Sequence, residues 1–336
     1  MEAFVWGPVT VYPFGLAVAL LALGALLWTG ARLGWGESAS WFAVLSLPLA
    51  LVGARLGYCL MVVDQLLGDE DFGFLFRLTE GGYMLWGAVG GALLAAWLTG
   101  KLAHRSFAEI ADAAVLPAAL LIALGRLAAG LLCKDQGIGF ELAAWFDPEE
   151  TDFASRYSLF ALSDWSFFER LPFAVQNYYE EWCWAIFVPE ALWAAAAGIL
   201  ADFTSARPGG RIGRFLVLYS AGQILLEGML RGEVLHLPWL GFVRANQIVC
   251  ALVLLLLWFR WRRAVPAKTG WIALALLFLG AGIVIAMEFA AFEKKISLIE
   301  SFPADVCHLI MGLGCLLMGL SLRPLWRGRF LEREGV

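Results

Sequence analysis

Gln223, Glu227 and Arg231 are spaced four apart in a stretch otherwise built of Leu, Ile, Gly and Met. Residues at i and i+4 share one face of a helix, so this spacing predicts a polar stripe on an apolar rod. Taken alone, a Glu–Arg pair at that spacing reads as a simple ion pair. Its company changes the reading, because Arg55 with Tyr58, Arg126, and Arg244 with Asn246 and Gln247 interrupt other long apolar runs. An ionisable side chain inside a membrane-crossing helix costs at least about 2.5 kcal/mol, which marks each as a candidate functional group. Two arginines, Arg55 and Arg126, set against the single carboxylate of Glu227, leave surplus positive charge that an anion must balance. A lipid phosphate is the natural counter-ion, and the planar fork of a guanidinium is shaped to hold it. The expected lipid-binding set is therefore Arg55, Tyr58, Arg126, Gln223 and Gln247, with Arg126, Glu227 and Arg231 as the candidates to act on the bound group.

The elements that must carry these groups follow from hydropathy. The chain is 61% hydrophobic with a mean hydropathy of +0.76, well above a soluble domain, so most of it is solvated by lipid. Runs long enough to span lie near 14–33, 41–63, 82–102, 110–133, 183–201, 215–230, 239–261, 271–287 and 306–322. The predicted class is all-α, a polytopic transmembrane bundle of about nine spans. Four parts are expected: spans one to four over 1–133, an extracytoplasmic head over 134–182, spans five to seven over 183–262, and two further spans with a basic tail over 263–336. No Lys or Arg precedes the first span, so the charged start of a secretory signal is missing and the first helix is expected to stay in the mature protein.

Charge sorts the connections. Arg32, then Lys101 and Arg105, then Arg207, Arg211 and Arg214, then Arg260, Arg262, Arg263 and Lys268, then the tail arginines fall in alternate connections, while Lys134–Glu181 holds ten Asp and Glu against three Lys and Arg. The positive-inside rule then predicts an N-terminus outside and a C-terminus in the cytoplasm. With that orientation Arg55, Tyr58, Arg126, Glu227, Arg244, Asn246 and Gln247 all fall near the outer face. The aromatics of the long segment suit a cap at headgroup level.

Six scattered cysteines without a CxxC pair read as small buried hydrophobes, Cys133 and Cys183 being the one candidate pair across the long segment. Three histidines without ligand spacing predict no metal site and no cofactor. No nucleic-acid partner is expected. Gly87 and Gly91 read as helix-packing positions. Gly81-Gly82 reads as a turn or re-entrant element beside the site.

Several segments together resemble the prolipoprotein diacylglyceryl transferases. They are Gly53-Ala54-Arg55-Leu56-Gly57-Tyr58, Gly81-Gly82-Tyr83-Met84-Leu85-Trp86-Gly87, Leu124-Gly125-Arg126-Leu127, Pro189 with Leu192-Trp193, and Tyr219 through Glu227 to Arg231 followed by Gln247. The resemblance covers roughly residues 10–260. It implies transfer of diacylglyceryl from phosphatidylglycerol to the thiol of a lipobox cysteine in a prolipoprotein signal peptide, at the bacterial cytoplasmic membrane. By the same resemblance Arg126 holds the phosphate, and Glu227 orients an arginine or the lipid glycerol. Departures are equally specific: Trp86 stands where the family has a histidine, Phe14 for a tyrosine, Ala129 for an asparagine, Gln223 for an arginine, and Val188-Pro189 for a His-Pro pair. A thiol of ordinary pKa needs a base or a positive field to react at neutral pH. With Trp86 at the histidine position, Glu227, Glu190 and the field of Arg126 and Arg55 are the local substitutes. The alternative expectation is a degenerate member that binds anionic lipid or lipoprotein without chemistry.

Overall fold

The computed structural model describes residues 4–6, 9–68, 72–77, 81–133, 136–142, 172–203, 207–231, 235–237, 240–290 and 304–330. Among the described residues, nine long helices lie in the nine apolar segments: α1 (Pro13–Leu33), α2 (Glu37–Met61), α3 (Leu85–Leu102), α4 (Phe107–Leu132), α5 (Phe187–Phe203), α6 (Gly210–Met229), α7 (Ala245–Trp261), α8 (Ala267–Glu288) and α9 (Ala304–Ser321). A short helix α10 (Arg323–Phe330) continues from α9. Among the described residues seven of these are long and apolar enough to cross a bilayer. The two that fall short are α5, at 17 residues, and α6, whose apolar run is diluted by Arg211, Arg214, Gln223 and Glu227; α7, equally short as an α-helix, reaches 20 residues through the turn that continues it to Ala264. Helix α6 can carry that polarity because it is the most enclosed strut, with Tyr219, Ser220, Gln223, Ile224 and Glu227 all buried.

Between lipid-exposed helices no hydrophobic force drives contact, so small residues that let backbones close up select the partners. Helices α2 and α3 show this: a Cβ on Gly87 would strike the Gly53 carbonyl and one on Gly91 the Leu49 carbonyl. Those two glycines are packing positions, as their spacing suggested. Helix α1 lies along α4, α4 along α5, α5 and α9 along α6, α6 along α7, and α8 along α9. One main core runs through these elements, from Met84 and Trp86 to Leu325 and Trp326. Helix α6 is seated from below by Asp112 of α4, whose carboxylate accepts from the backbone amides of Gly209 and Ile212 at 2.7 and 2.8 Å. Nearby, Asp202 of α5 pairs with both Arg32 and Arg211.

The described parts of the long segment are tied to the far end of α6. Strands β1 (Ala174–Gln176) and β2 (Trp182–Trp184) form an antiparallel hairpin. The strip 138–141 runs between that hairpin and the end of α6, with Gly139 bridging Leu230 and Glu141 bridging Cys183. The aromatic-rich stretch 143–171 expected to form a cap lies outside the described residues. All six cysteines are free thiols, so the pairing of Cys133 with Cys183 is not made.

Candidate active site

Two clusters emerge where the sequence suggested one. The first surrounds Arg126. Its Nη2 lies 3.6 Å from Glu190 Oε1, and its side chain keeps 27% of its accessibility while that of Glu190 keeps none. Glu190 sits on the first turn of α5, and Gln223 of α6 donates its Nε2 to the same oxygen at 2.6 Å. The Gln223 amide also reaches Glu227 Oε2 at 3.3 Å, and Asn246 of α7 donates to Glu227 Oε1 at 3.0 Å. Tyr219, stacked on Phe215 and beside Trp86, completes the face. Glu190, Tyr219 and Glu227 are the charged or ionisable neighbours of the Arg126 guanidinium.

The polar stripe on α6 thus exists, but it runs Tyr219–Gln223–Glu227 and stops. The helix ends at Met229, two residues short of carrying Arg231 on the same face. Arg231 is exposed, hydrogen-bonds through its backbone amide to Ile138, and stacks its guanidinium over Phe140 at 4.4 Å. Its expected place in the reacting cluster is corrected: it belongs to the junction with the head segment, because the chain leaves the helix to pair with the 138–141 strip.

Arg55 is the second correction. Buried on α2, it donates Nη1 to the carbonyls of Gly81 and Gly82 and Nη2 to those of Phe74 and Arg77, with its guanidinium 4.0 Å over the Phe74 ring. Both outer nitrogens are engaged by backbone, and only the buried Nε is left without a hydrogen-bond partner, so this arginine fastens a turn rather than joining the Arg126 cluster. Tyr58 lies against the same turn, where a Cβ on Gly82 would meet its ring at 2.7 Å. Gly81 and Gly82 both have φ of +75°, a conformation glycine adopts without strain. They do form a turn, and its partner is Arg55. Gln247, also expected to meet lipid, donates instead to the Ile224 carbonyl at 3.1 Å and so braces α6 against α7.

Two carboxylates, Glu288 and Glu190, escaped the set of site residues expected from sequence. Arg244, the residue before α7, donates Nη1 to the Glu227 carbonyl and places its Nε 3.4 Å from Glu288 Oε1 at the end of α8. Glu288 lies one residue past the eighth apolar run, in the part the resemblance does not cover, and hydropathy alone draws no attention to it. Glu190 was visible only as a spare carboxylate, yet it is the nearest counter-charge of Arg126.

Tyr219 Oη lies within hydrogen-bonding reach of Arg126. Three buried polar atoms in the chain of side chains that leads from Glu190 through Gln223 and Glu227 to Asn246 have no hydrogen-bond partner: Glu190 Oε2, Gln223 Oε1 and Asn246 Oδ1. Buried polar atoms are almost always paired, so a group of orphans in the network joined to Arg126 describes a site built for a polar ligand. It offers a positive centre ringed by acceptors. Among the described residues no three His, Cys, Asp or Glu side chains are grouped to hold a metal ion.

The fold and this cluster define a multi-pass helical membrane protein with a charged, ligand-ready site between its helices. A family model described as prolipoprotein diacylglyceryl transferase matches residues 2–263, and the chain belongs to that family. It is 26% identical over 269 residues to the phosphatidylglycerol–prolipoprotein diacylglyceryl transferase of Halalkalibacterium halodurans, covering 77% of this chain and 84% of the relative. The similarly named protein of Paenarthrobacter aurescens is 28% identical over 260 residues, covering 74% and 77%. That of Frankia alni is 32% identical over 129 residues, so the match spans about a third of the relative's length, 33%, and 36% of this chain. Helices α8, α9 and α10 lie past the end of the family match.

Proposed function

We infer that the protein transfers diacylglyceryl from phosphatidylglycerol to the thiol of a lipobox cysteine in a prolipoprotein signal peptide, with release of glycerol phosphate. The observation that carries this reading is the partly open Arg126 guanidinium, paired with Glu190 at the head of a network that holds three unpartnered polar atoms. A phospholipid phosphate meets the positive centre, and the hydroxyls of a glycerol headgroup supply the donors that the acceptors lack. In the reaction the cysteine sulfur attacks the glyceryl carbon and the carbon–oxygen bond to phosphate breaks. The departing phosphate takes the bonding pair, and Arg126 stabilises the charge it gains. The thiol proton passes to a carboxylate; Glu190 Oε2 is the free acceptor beside Arg126, and Glu227 is held by Asn246 and Gln223 as the second negative charge.

The same reading gives the topology its sense. Nine spans with the N-terminus outside and the C-terminus cytoplasmic put Arg126 and Glu227 at the outer level of the bacterial cytoplasmic membrane, where exported cysteine and lipid headgroup meet. The boundaries are those of the sequence: 1–133 and 183–262 as the first seven spans, 134–182 as the extracytoplasmic head, and 263–336 as an addition.

One observation favours a second reading, lipid or lipoprotein binding without chemistry. Trp86, where relatives of the resembled family carry a histidine, is buried against Tyr219 and cannot accept a proton. A single assay separates the two. Purified protein in liposomes with labelled phosphatidylglycerol and a lipobox peptide yields lipidated peptide if the transferase reading holds. Retained lipid binding, lost in Arg126→Ala, with no product at any enzyme concentration would leave the binding reading in its place.

A further inference from the structure

The opposite end of α6 carries a different site. Thirteen residues separate Arg214 from Glu227, about 20 Å along the helix. Between them a groove of about 750 Å³ is walled by α5, α6, α9 and the start of α10. That volume lies within the range of small-molecule sites, about 300–1,000 Å³. Leu192, Leu225, Leu316 and Leu320 line it, and the exposure of Leu192, Leu316 and Leu320 shows that it opens sideways, toward lipid. Eight of its nineteen lining residues, from Gly312 to Trp326, come from the part of the chain beyond the family match, so the groove is closed only because the added helices are there.

Its end is positively charged. Arg214 and Arg323 both line it and are each other's charged neighbours. Arg214 lies 4.0 Å over the Trp326 ring, and its Nη1 is buried without a hydrogen-bond partner. The carboxylates at this level are engaged elsewhere: Asp202 with Arg32 and Arg211, Asp112 with the amides that begin α6. Among the described residues no acid pairs with Arg214 or Arg323. Two facing guanidinium groups with an orphaned donor at the mouth of an apolar slot have the chemistry of a phospholipid headgroup site, and basic pockets between membrane helices hold anionic lipid heads.

We propose that this groove is a second lipid site, in which an anionic phospholipid of the leaflet on the side of the basic connections sets its phosphate between Arg214 and Arg323 and lays an acyl chain along α5, α6 and α9. It is separate from the Arg126 site and does not depend on transfer activity. The lipid would act as a structural bridge, joining the added helices to the family-type bundle.

The test is native mass spectrometry of the full-length protein released from membranes of equal phosphatidylglycerol and phosphatidylcholine, carried out on an Arg126→Ala background to remove the other phosphate site. One anionic lipid should remain bound, and Arg214→Gln with Arg323→Gln should lower its occupancy on the order of tenfold. Gly319→Leu supplies an independent variant: a Cβ there meets only Ala221 at 3.4 Å, so the larger side chain fills the slot and leaves both arginines in place. It too should expel the lipid, with the thermal midpoint showing that the protein is folded. Equal retention of phosphatidylcholine, unchanged occupancy in both variants, or displacement of the lipid by millimolar inorganic phosphate would overturn the proposal, the last by showing a free-phosphate site.

Discussion

Arg55 and Arg126 look alike in sequence, each a lone arginine toward the end of an apolar run, and the structure uses them in opposite ways. Arg55 gives both of its outer nitrogens to backbone carbonyls of the 74–82 turn and is almost fully buried. Arg126 faces one carboxylate at 3.6 Å and keeps part of its surface open. A guanidinium whose two outer nitrogens are taken by four carbonyls holds structure, whereas one that meets a carboxylate and a tyrosine hydroxyl, with part of its surface open, has donors left for a ligand. Charge is the same for both; what differs is exposure and the number of backbone acceptors already within reach.

Substitution at the two arginines should therefore separate activity from stability. Arg126→Gln should lower diacylglyceryl transfer by about a hundredfold or more, the scale of losing one charge-stabilising donor, with little change in thermal midpoint. Arg55→Gln should instead lower stability by about 1.5–3 kcal/mol, the range for hydrogen bonds to a charged group, and open the 74–82 turn to protease. Were Arg55→Gln to abolish transfer while leaving stability and proteolysis untouched, the contrast between the two would collapse.

Smaller changes sharpen the same comparison. Gly82→Ala puts a side chain at a φ of +75° and against the Tyr58 ring, and should cost about 1–2 kcal/mol with no direct effect on lipid binding, read by thermal unfolding. Glu288→Gln removes the counter-charge of Arg244, and through it loosens Glu227. It should reduce the transfer rate severalfold at unchanged lipid affinity, a split that a purely structural defect would not produce.

The smallest effect lies in the head. Burial raises Glu141 above the ordinary carboxylate range, the neighbouring Glu181 raises it further, and Arg231 only partly opposes them. The folded state thus holds this proton more tightly than the unfolded chain, so stability falls as pH rises from the ordinary glutamate value through the raised one. Glu141→Gln should raise the thermal midpoint slightly at neutral pH, and the gain should vanish in acid. A gain independent of pH would show that the carboxylate is not the source.

Much of this arrangement was legible without coordinates. Apolar run length located all nine long helices, because a span must be long and nearly free of charge whatever it packs against. Spacing of four placed Gln223 and Glu227 on one face, and small residues at Gly87 and Gly91 marked a close helix contact, since both follow from helix geometry alone. Partnership was not legible. That Arg55 meets four carbonyls, that Arg231 falls beyond a helix end, that Glu190 and Glu288 bring their carboxylates to Arg126 and Arg244 from other helices, and that Arg214 and Arg323 face each other across a groove all depend on contacts between segments far apart in the chain. Hydropathy is a property of each residue and its near neighbours, so it reports which parts enter the membrane. Which charge finds which counter-charge is decided only when the helices close on one another.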